Sequence, residues 1–178
     1  MKIKFIVIIV FLFNLAQAQI DKLGLKTVLV VAQLDKPEDR FTMEVNLSEM
    51  LANSGIKTMA SLNALKQGAD IKMLGADSIN KQLLSKGIDT YVLVSVRGYD
   101  KKFKAAKNHY NLVTELQTGH LFPIYRDAVT SVTFEFNFFR NGEFVAYDKI
   151  KLGGIGSRDD VLKKLRKKLP KKIKRHWK

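Results

Sequence analysis

Two segments of this chain are nearly continuous apolar runs, Thr27–Leu34 (TVLVVAQL) and Ile88–Val96 (IDTYVLVSV). A strand with one wet face alternates with period two, so an unbroken β-branched run belongs to a strand covered on both faces. Between the two runs, Asp35-Lys36-Pro37 breaks the first, and Met43, Leu47, Met50 and Leu51 recur at helical spacing up to Ser54-Gly55, with Gly55 the expected C′ residue. Ile56–Ala60 is short enough for an edge strand, Ser61 can cap a brief helix through Lys66, and Asp77 or Ser78 can cap another carrying Ile79, Leu83 and Leu84 up to Gly87. Strand, helix, strand, helix, strand in this order predicts right-handed crossovers and a partly parallel sheet.

The second half is patterned differently. Val132, Phe134, Phe136 and Phe138 alternate with Thr133, Glu135 and Asn137, which predicts a strand with one buried and one wetter face. Asn141-Gly142 is a type I′ hairpin signal, and Phe144, Ala146, Ile150 and Leu152 are expected to line one face of the return strand. Asp148 falls on that apolar parity, where a carboxylate requires a partner, a bulge or a sheet edge. Gly153-Gly154 and Gly156 end the strand, and Ser157 with Asp160 has the capping-box spacing that opens a last helix with the stripe Val161, Leu165, Leu169. The fold class is α/β (α+β): a two-layer or three-layer βαβαβ half, then an antiparallel hairpin and a C-terminal helix. Residues 98–129 form an insertion or loop far longer than the usual connection of about 4–6 residues. Within it Asn111–Leu116 reads as a further strand, giving an inserted hairpin or a sheet extension.

This succession, with Gly87-Ile88-Asp89 leading into an apolar strand and a hairpin before a terminal helix, resembles αβ domains of the bacterial envelope. Examples are the periplasmic domain of the curli secretion channel, the N-terminal domain of the Tol-system propeller protein, lipoprotein activators of penicillin-binding proteins, and several uncharacterised lipoproteins. The resemblance covers about Thr27–Leu169 and implies a non-enzymatic adaptor. It carries over no functional residue, and the long 98–129 segment has no counterpart in it.

Export is written at the start of the chain. Lys2 and Lys4 precede the apolar run Phe5–Phe13, and Ala16-Gln17-Ala18 offers a small-x-small cleavage site. A membrane span needs about 20 apolar residues, and this run meets Asn14 and Gln17 first. Residues 1–18 are therefore expected to be a signal peptide, 19–169 a single αβ domain in the periplasm or outside the cell, and 170–178 a basic tail. No Cys is present, which excludes lipidation, disulfides, thiolate metal sites and a Cys nucleophile.

Charge is concentrated at the other end. The net charge of +14 falls to +12 without Lys2 and Lys4, and ten basic residues with no acidic one lie between Lys163 and Lys178, which leaves +2 for the rest. Clustered charge focuses potential on an anionic partner. In an envelope the candidates are anionic lipid, lipopolysaccharide, wall polymer or an acidic protein, with peripheral membrane contact; nucleic acid is not expected. The residues assigned to such a surface are Lys163, Lys164, Lys167, Lys168, Lys171, Lys172, Lys174, Arg175, Trp177 and Lys178. The stripe continues at four-residue spacing through Ile173 and Trp177, but Pro170 is expected to kink or end the helix, with Val161–Leu169 packed and Lys171–Lys178 reaching outward.

Catalytic signals are sparse. There are three His (His109, His120, His176) and no Gly-x-Ser-x-Gly elbow, and the spacing of His109 and His120 matches no metal motif, so neither metal nor cofactor is expected. Gly153-Gly154-Ile155-Gly156 lacks the Walker and dinucleotide spacings and reads as a strand-to-helix turn. A secondary candidate is the aromatic and basic 98–129 segment with Lys101, Lys102, Lys104, His120 and Tyr125, which would serve a small hydrolase-like enzyme. A structural subunit assembling through a sheet edge is the other alternative.

Overall fold

The computed structural model describes residues 22–66, 68–101, 103, 110–119 and 121–178. The expected signal peptide, Lys102, Lys104, His109 and His120 lie outside them.

Strands β1 (Thr27–Gln33), β2 (Lys57–Ala60), β3 (Thr90–Tyr99), β4 (Ser131–Arg140) and β5 (Glu143–Gly153) form one sheet in the order β2-β1-β3-β4-β5. β1 pairs parallel with β2 and β3, while β3–β4 and β4–β5 are antiparallel. Helices α1 (Pro37–Ala52), α2 (Asp77–Ser85), α3 (Leu112–Thr118) and α4 (Arg158–Lys172) cover both faces, so the arrangement is three-layered. On one face Val28, Val30, Val92, Val94, Phe134, Phe136 and Phe138 meet Met43, Leu47 and Leu51 of α1 and Val161, Leu165 and Leu169 of α4. On the other, Leu29, Val31, Tyr91, Leu93 and Phe139 meet Leu74, Leu83, Leu112 and Leu116. The continuous apolar runs of β1 and β3 are the strands that serve both cores.

α1 and α2 stop in the same way. Gly55 (φ 80°) and Gly87 (φ 74°) take left-handed conformations, and the following isoleucines close the helix ends through Ile56 N–H to Leu51 O (3.1 Å) and Ile88 N–H to Leu83 O (3.0 Å). Asn141 and Gly142 have φ of 51° and 83°, as the hairpin signal requires.

Several local expectations are corrected. Ser61 starts only a 3₁₀ turn, Ser61–Asn63, and α2 is preceded by Ala76 with no side-chain cap. The wetter face of β4 is buried: Thr133, Glu135 and Asn137 are 4–6% exposed. A bulge opposite Phe138/Phe139 turns Phe144 onto the face of Phe139, away from Ala146. Asn111–Leu116 is not a strand. Asn111 Oδ1 accepts the Thr114 N–H at 2.9 Å and caps α3, whose Leu112 and Leu116 bury one face at i, i+4 spacing.

The C-terminus departs most from expectation. Pro170 lies inside α4, and the chain continues as a π turn, Ile173–Trp177, instead of leaving the domain. Proline removes one helical donor, and the turn is closed by an i→i+5 bond from Lys178 N–H to Ile173 O (3.0 Å). Ile173 and Trp177 are fully buried, and that burial favours continued helix beyond the proline. Two backbone bonds stitch the chain ends together, Leu23 N–H to His176 O and Leu25 N–H to Trp177 O, both 2.9 Å.

Candidate anionic-surface site on the C-terminal helix

In a sheet of this type, ligands usually enter the crevice at the carboxyl ends of the strands where the crossovers diverge. Here that place lies between β1 and β3, whose helices α1 and α2 sit on opposite faces. Described residues of the 98–129 segment pack over it. Leu34 bridges to Phe122, Gln33 Nε2 donates to Glu115 O at 3.0 Å, and the Tyr99 hydroxyl donates to Pro123 O. A Cβ on Gly119 would lie 2.6 Å from Gln33 Nε2, so any larger residue there would have to displace the Gln33 amide. The buried Asp39 fixes the lid from both sides, accepting from Arg158 Nε at 2.7 Å and from Ile124 N–H at 3.2 Å. Arg126 lies over the rings of Tyr99 and Phe122 at 5.0 and 5.3 Å. Tyr125, a secondary candidate, donates its hydroxyl to Gly156 O at 2.8 Å. Lys101 is exposed.

Sequence reasoning missed the most deeply buried carboxylate among the described residues. Glu44 is 0% exposed. Its Oε1 accepts Ala32 N–H (3.0 Å) and the Ser61 hydroxyl (2.6 Å), its Oε2 accepts Leu62 N–H (3.2 Å), and Arg40 Nε stands 3.4 Å away. β2 ends at Ala60, so this carboxylate replaces the ladder where the strand runs out. The signal was its place beside Met43 on the buried stripe of α1. On the opposite face, Glu115 is pushed above the ordinary carboxylate range by burial and by the charge of Glu135, against which Arg97 acts. Among the described residues, no group of three or more His, Cys, Asp or Glu is placed to hold a metal ion.

The Gly153–Gly156 turn is a capped helix start. Ser157 Oγ accepts Asp160 N–H at 3.1 Å, Asp160 Oδ2 accepts Gly156 N–H at 3.1 Å, and Lys164 Nζ donates to Gly153 O and Gly154 O at 2.8 and 2.6 Å. Asp148 has the partners its parity demanded. Its Oδ1 accepts from Lys172 Nζ (2.5 Å) and Lys149 N–H (2.7 Å), and its Oδ2 accepts from Trp177 Nε1 (2.9 Å).

These contacts divide the nine cations and the tryptophan assigned from sequence. Lys164 and Lys172 hold the domain together, and Lys168 reaches Lys151 O at 3.4 Å. Trp177 is fully buried against Phe136 and Phe138, with ring centroids 5.0 Å apart in each case, and so does not reach a surface. Lys163, Lys167, Lys171, Lys174, Arg175 and Lys178 remain exposed. They recur at i, i+3 and i+4 along α4 and the π turn that extends it, a ridge about 22 Å long at about 1.5 Å per residue. Like charges at this spacing destabilise a helix by about 0.2–0.5 kcal/mol per pair. No acidic residue lies between Val161 and Lys178 to offset them.

The fold and this ridge define an α/β/α domain with a cationic outer helix. Neither family models nor curated proteins give a match. Among solved structures, the chain is similar to lipoprotein GNA1162 from Neisseria meningitidis, at 17% identity over 83% of this chain and 97% of that one, with a TM-score of 0.42. It is also similar to the PelC dodecamer from Paraburkholderia phytofirmans, at 14% identity over 87% of this chain and 89% of that one, with a TM-score of 0.46. No residue, ligand or assembly is carried over from either.

Proposed function

We propose that this chain is an exported, non-enzymatic binding module of the bacterial envelope, which holds an anionic envelope component or an acidic partner against the outer face of α4. The supporting observation is the ridge Lys163, Lys167, Lys171, Lys174, Arg175 and Lys178, fixed in place by the burial of Ile173 and Trp177. A flexible basic tail would lose conformational freedom on binding, whereas a docked helix presents its charges already ordered. Export rests on the order Lys2, Lys4, Phe5–Phe13, Ala16-Gln17-Ala18. Among the described residues no helix is long and apolar enough to cross a membrane. The test is capture of the mature protein on envelope fractions at low and high salt. Binding at low salt that is lost at high salt supports the reading, because exposed charges are screened over about 8–10 Å at physiological ionic strength. Absence of binding at low salt would remove it.

A further inference from the structure

We infer that the amino end of the parallel strands is a docking face for an anionic phospholipid bilayer, so that the molecule meets a membrane end-on. The inference rests on the anionic partner proposed above and assigns its class and the end it meets. Two open clefts, of about 570 and 350 Å³, flank the start of β1 and share Gly24, Lys26 and Thr27 in their walls. Lys57 and Lys178 line the first and Arg140 the second, with Asp89 the acidic residue of the pair of clefts. Asp89 Oδ1 already accepts the Thr90 hydroxyl at 2.7 Å. Among the described residues, Arg140 Nε donates to Thr90 Oγ1 at 3.3 Å and Nη2 to Leu23 O at 3.2 Å, and it forms no ion pair with a carboxylate.

The cationic ridge of α4 runs into this face, because His176 and Trp177 are bonded to Leu23 and Leu25, and Lys178 Nζ lies 3.1 Å from where a Cβ on Gly55 would be. The charges thus spread over the whole end of the sheet instead of converging on one point, which suits many headgroups better than one small dianion. The described chain also begins here, at the exposed Lys22. The apolar run Phe5–Phe13 ends nine residues upstream, a reach of at most about 30 Å. In the precursor, the segment that enters the membrane is therefore tied to this same end.

The experiment compares co-sedimentation of the mature protein with vesicles of phosphatidylglycerol and phosphatidylcholine, or of phosphatidylcholine alone. The proteins are the wild type, Lys26→Glu/Lys57→Glu/Lys178→Glu at the sheet end, and Lys163→Glu/Lys167→Glu at the far end of the ridge; all five side chains are exposed. The expected result is binding to the anionic vesicles only, weakened about tenfold or more in both variants and most in the sheet-end variant. Loss confined to the far-end variant would overturn the end-on inference and leave the proposed function standing. The same holds if the wild type binds envelope fractions but neither vesicle. A wild type that binds neither vesicles nor envelope fractions would overturn both. If the sheet-end variant melted lower but bound normally, these lysines would serve the carbonyl ends of α1 and α2 rather than a membrane, and the inference would fall.

Discussion

Trp177 Nε1 donates to Asp148 Oδ2 across 2.9 Å, joining the end of the chain to the middle of β5. The same carboxylate holds Lys172, so one acidic group in the sheet neutralises one cation of the last helix and satisfies the buried indole. Trp177→Ala should lower stability by about 3–5 kcal/mol, the range for truncating a buried large aromatic. Truncation after Leu169 should unfold the domain. Chemical denaturation followed by circular dichroism checks both, and a fully stable truncated chain would contradict this docking.

Glu44 offers a second test. Glu44→Ala leaves Ala32 N–H, Leu62 N–H and the Ser61 hydroxyl without their acceptor. Each unsatisfied buried group costs about 1–3 kcal/mol. A loss of about 3 kcal/mol or more is expected in urea titrations, with Glu44→Gln intermediate because it keeps one acceptor oxygen.

Tyr91 and Tyr99 are pushed up to about 12 by burial. A phenol raised in the fold keeps its stabilising effect below its unfolded value near 10 and loses it as pH rises from there toward 12. Near-ultraviolet titration should therefore show two phenols ionising well above the ordinary tyrosine value of 10, with stability falling over that interval. Tyr99→Phe should flatten part of the fall.

Carboxylates give two opposite signs in acid. Asp100 is held below its ordinary value, first by the hydroxyl bond from Thr130 and further by Thr130 N–H and Ser131. Its contribution is present above about pH 3.8 and lost as pH falls through the lower folded value. Glu115, raised by burial, instead weakens the fold as pH rises through and above 4.5. Melting temperatures of Asp100→Asn and Glu115→Gln against pH should diverge from the wild type in these opposite directions.

The centre of the sheet was legible because β1 and β3 serve two cores and carry no polar face to confuse the pattern, and the hairpin because two positive φ values need Asn-Gly. Asp148 was legible as an anomaly of parity, which its three partners resolve. Local rules failed where tertiary burial outweighed them. Pro170 reads as a helix end, but Ile173 and Trp177 bury completely beyond it. α3 was hidden because Asn111 was not recognised as its cap. Of the candidate site, sequence gives the nine cations but not their division, since the acceptors of Lys164 and Lys172 are backbone oxygens of Gly153 and Gly154 and a carboxylate on β5.

The central claim is that the ridge of α4 binds an anionic envelope component, and charge removal on that ridge tests it most directly. Lys167, Lys171 and Lys174 are exposed and make none of the contacts described above, so Lys167→Gln/Lys171→Gln/Lys174→Gln should fold with unchanged or slightly raised stability as like-charge repulsion falls. The measurement is the affinity of this variant and of the wild type for envelope fractions at low salt. The account predicts a loss of about tenfold or more, from about 1 kcal/mol for each cation near an anionic surface. Equal affinities would contradict it.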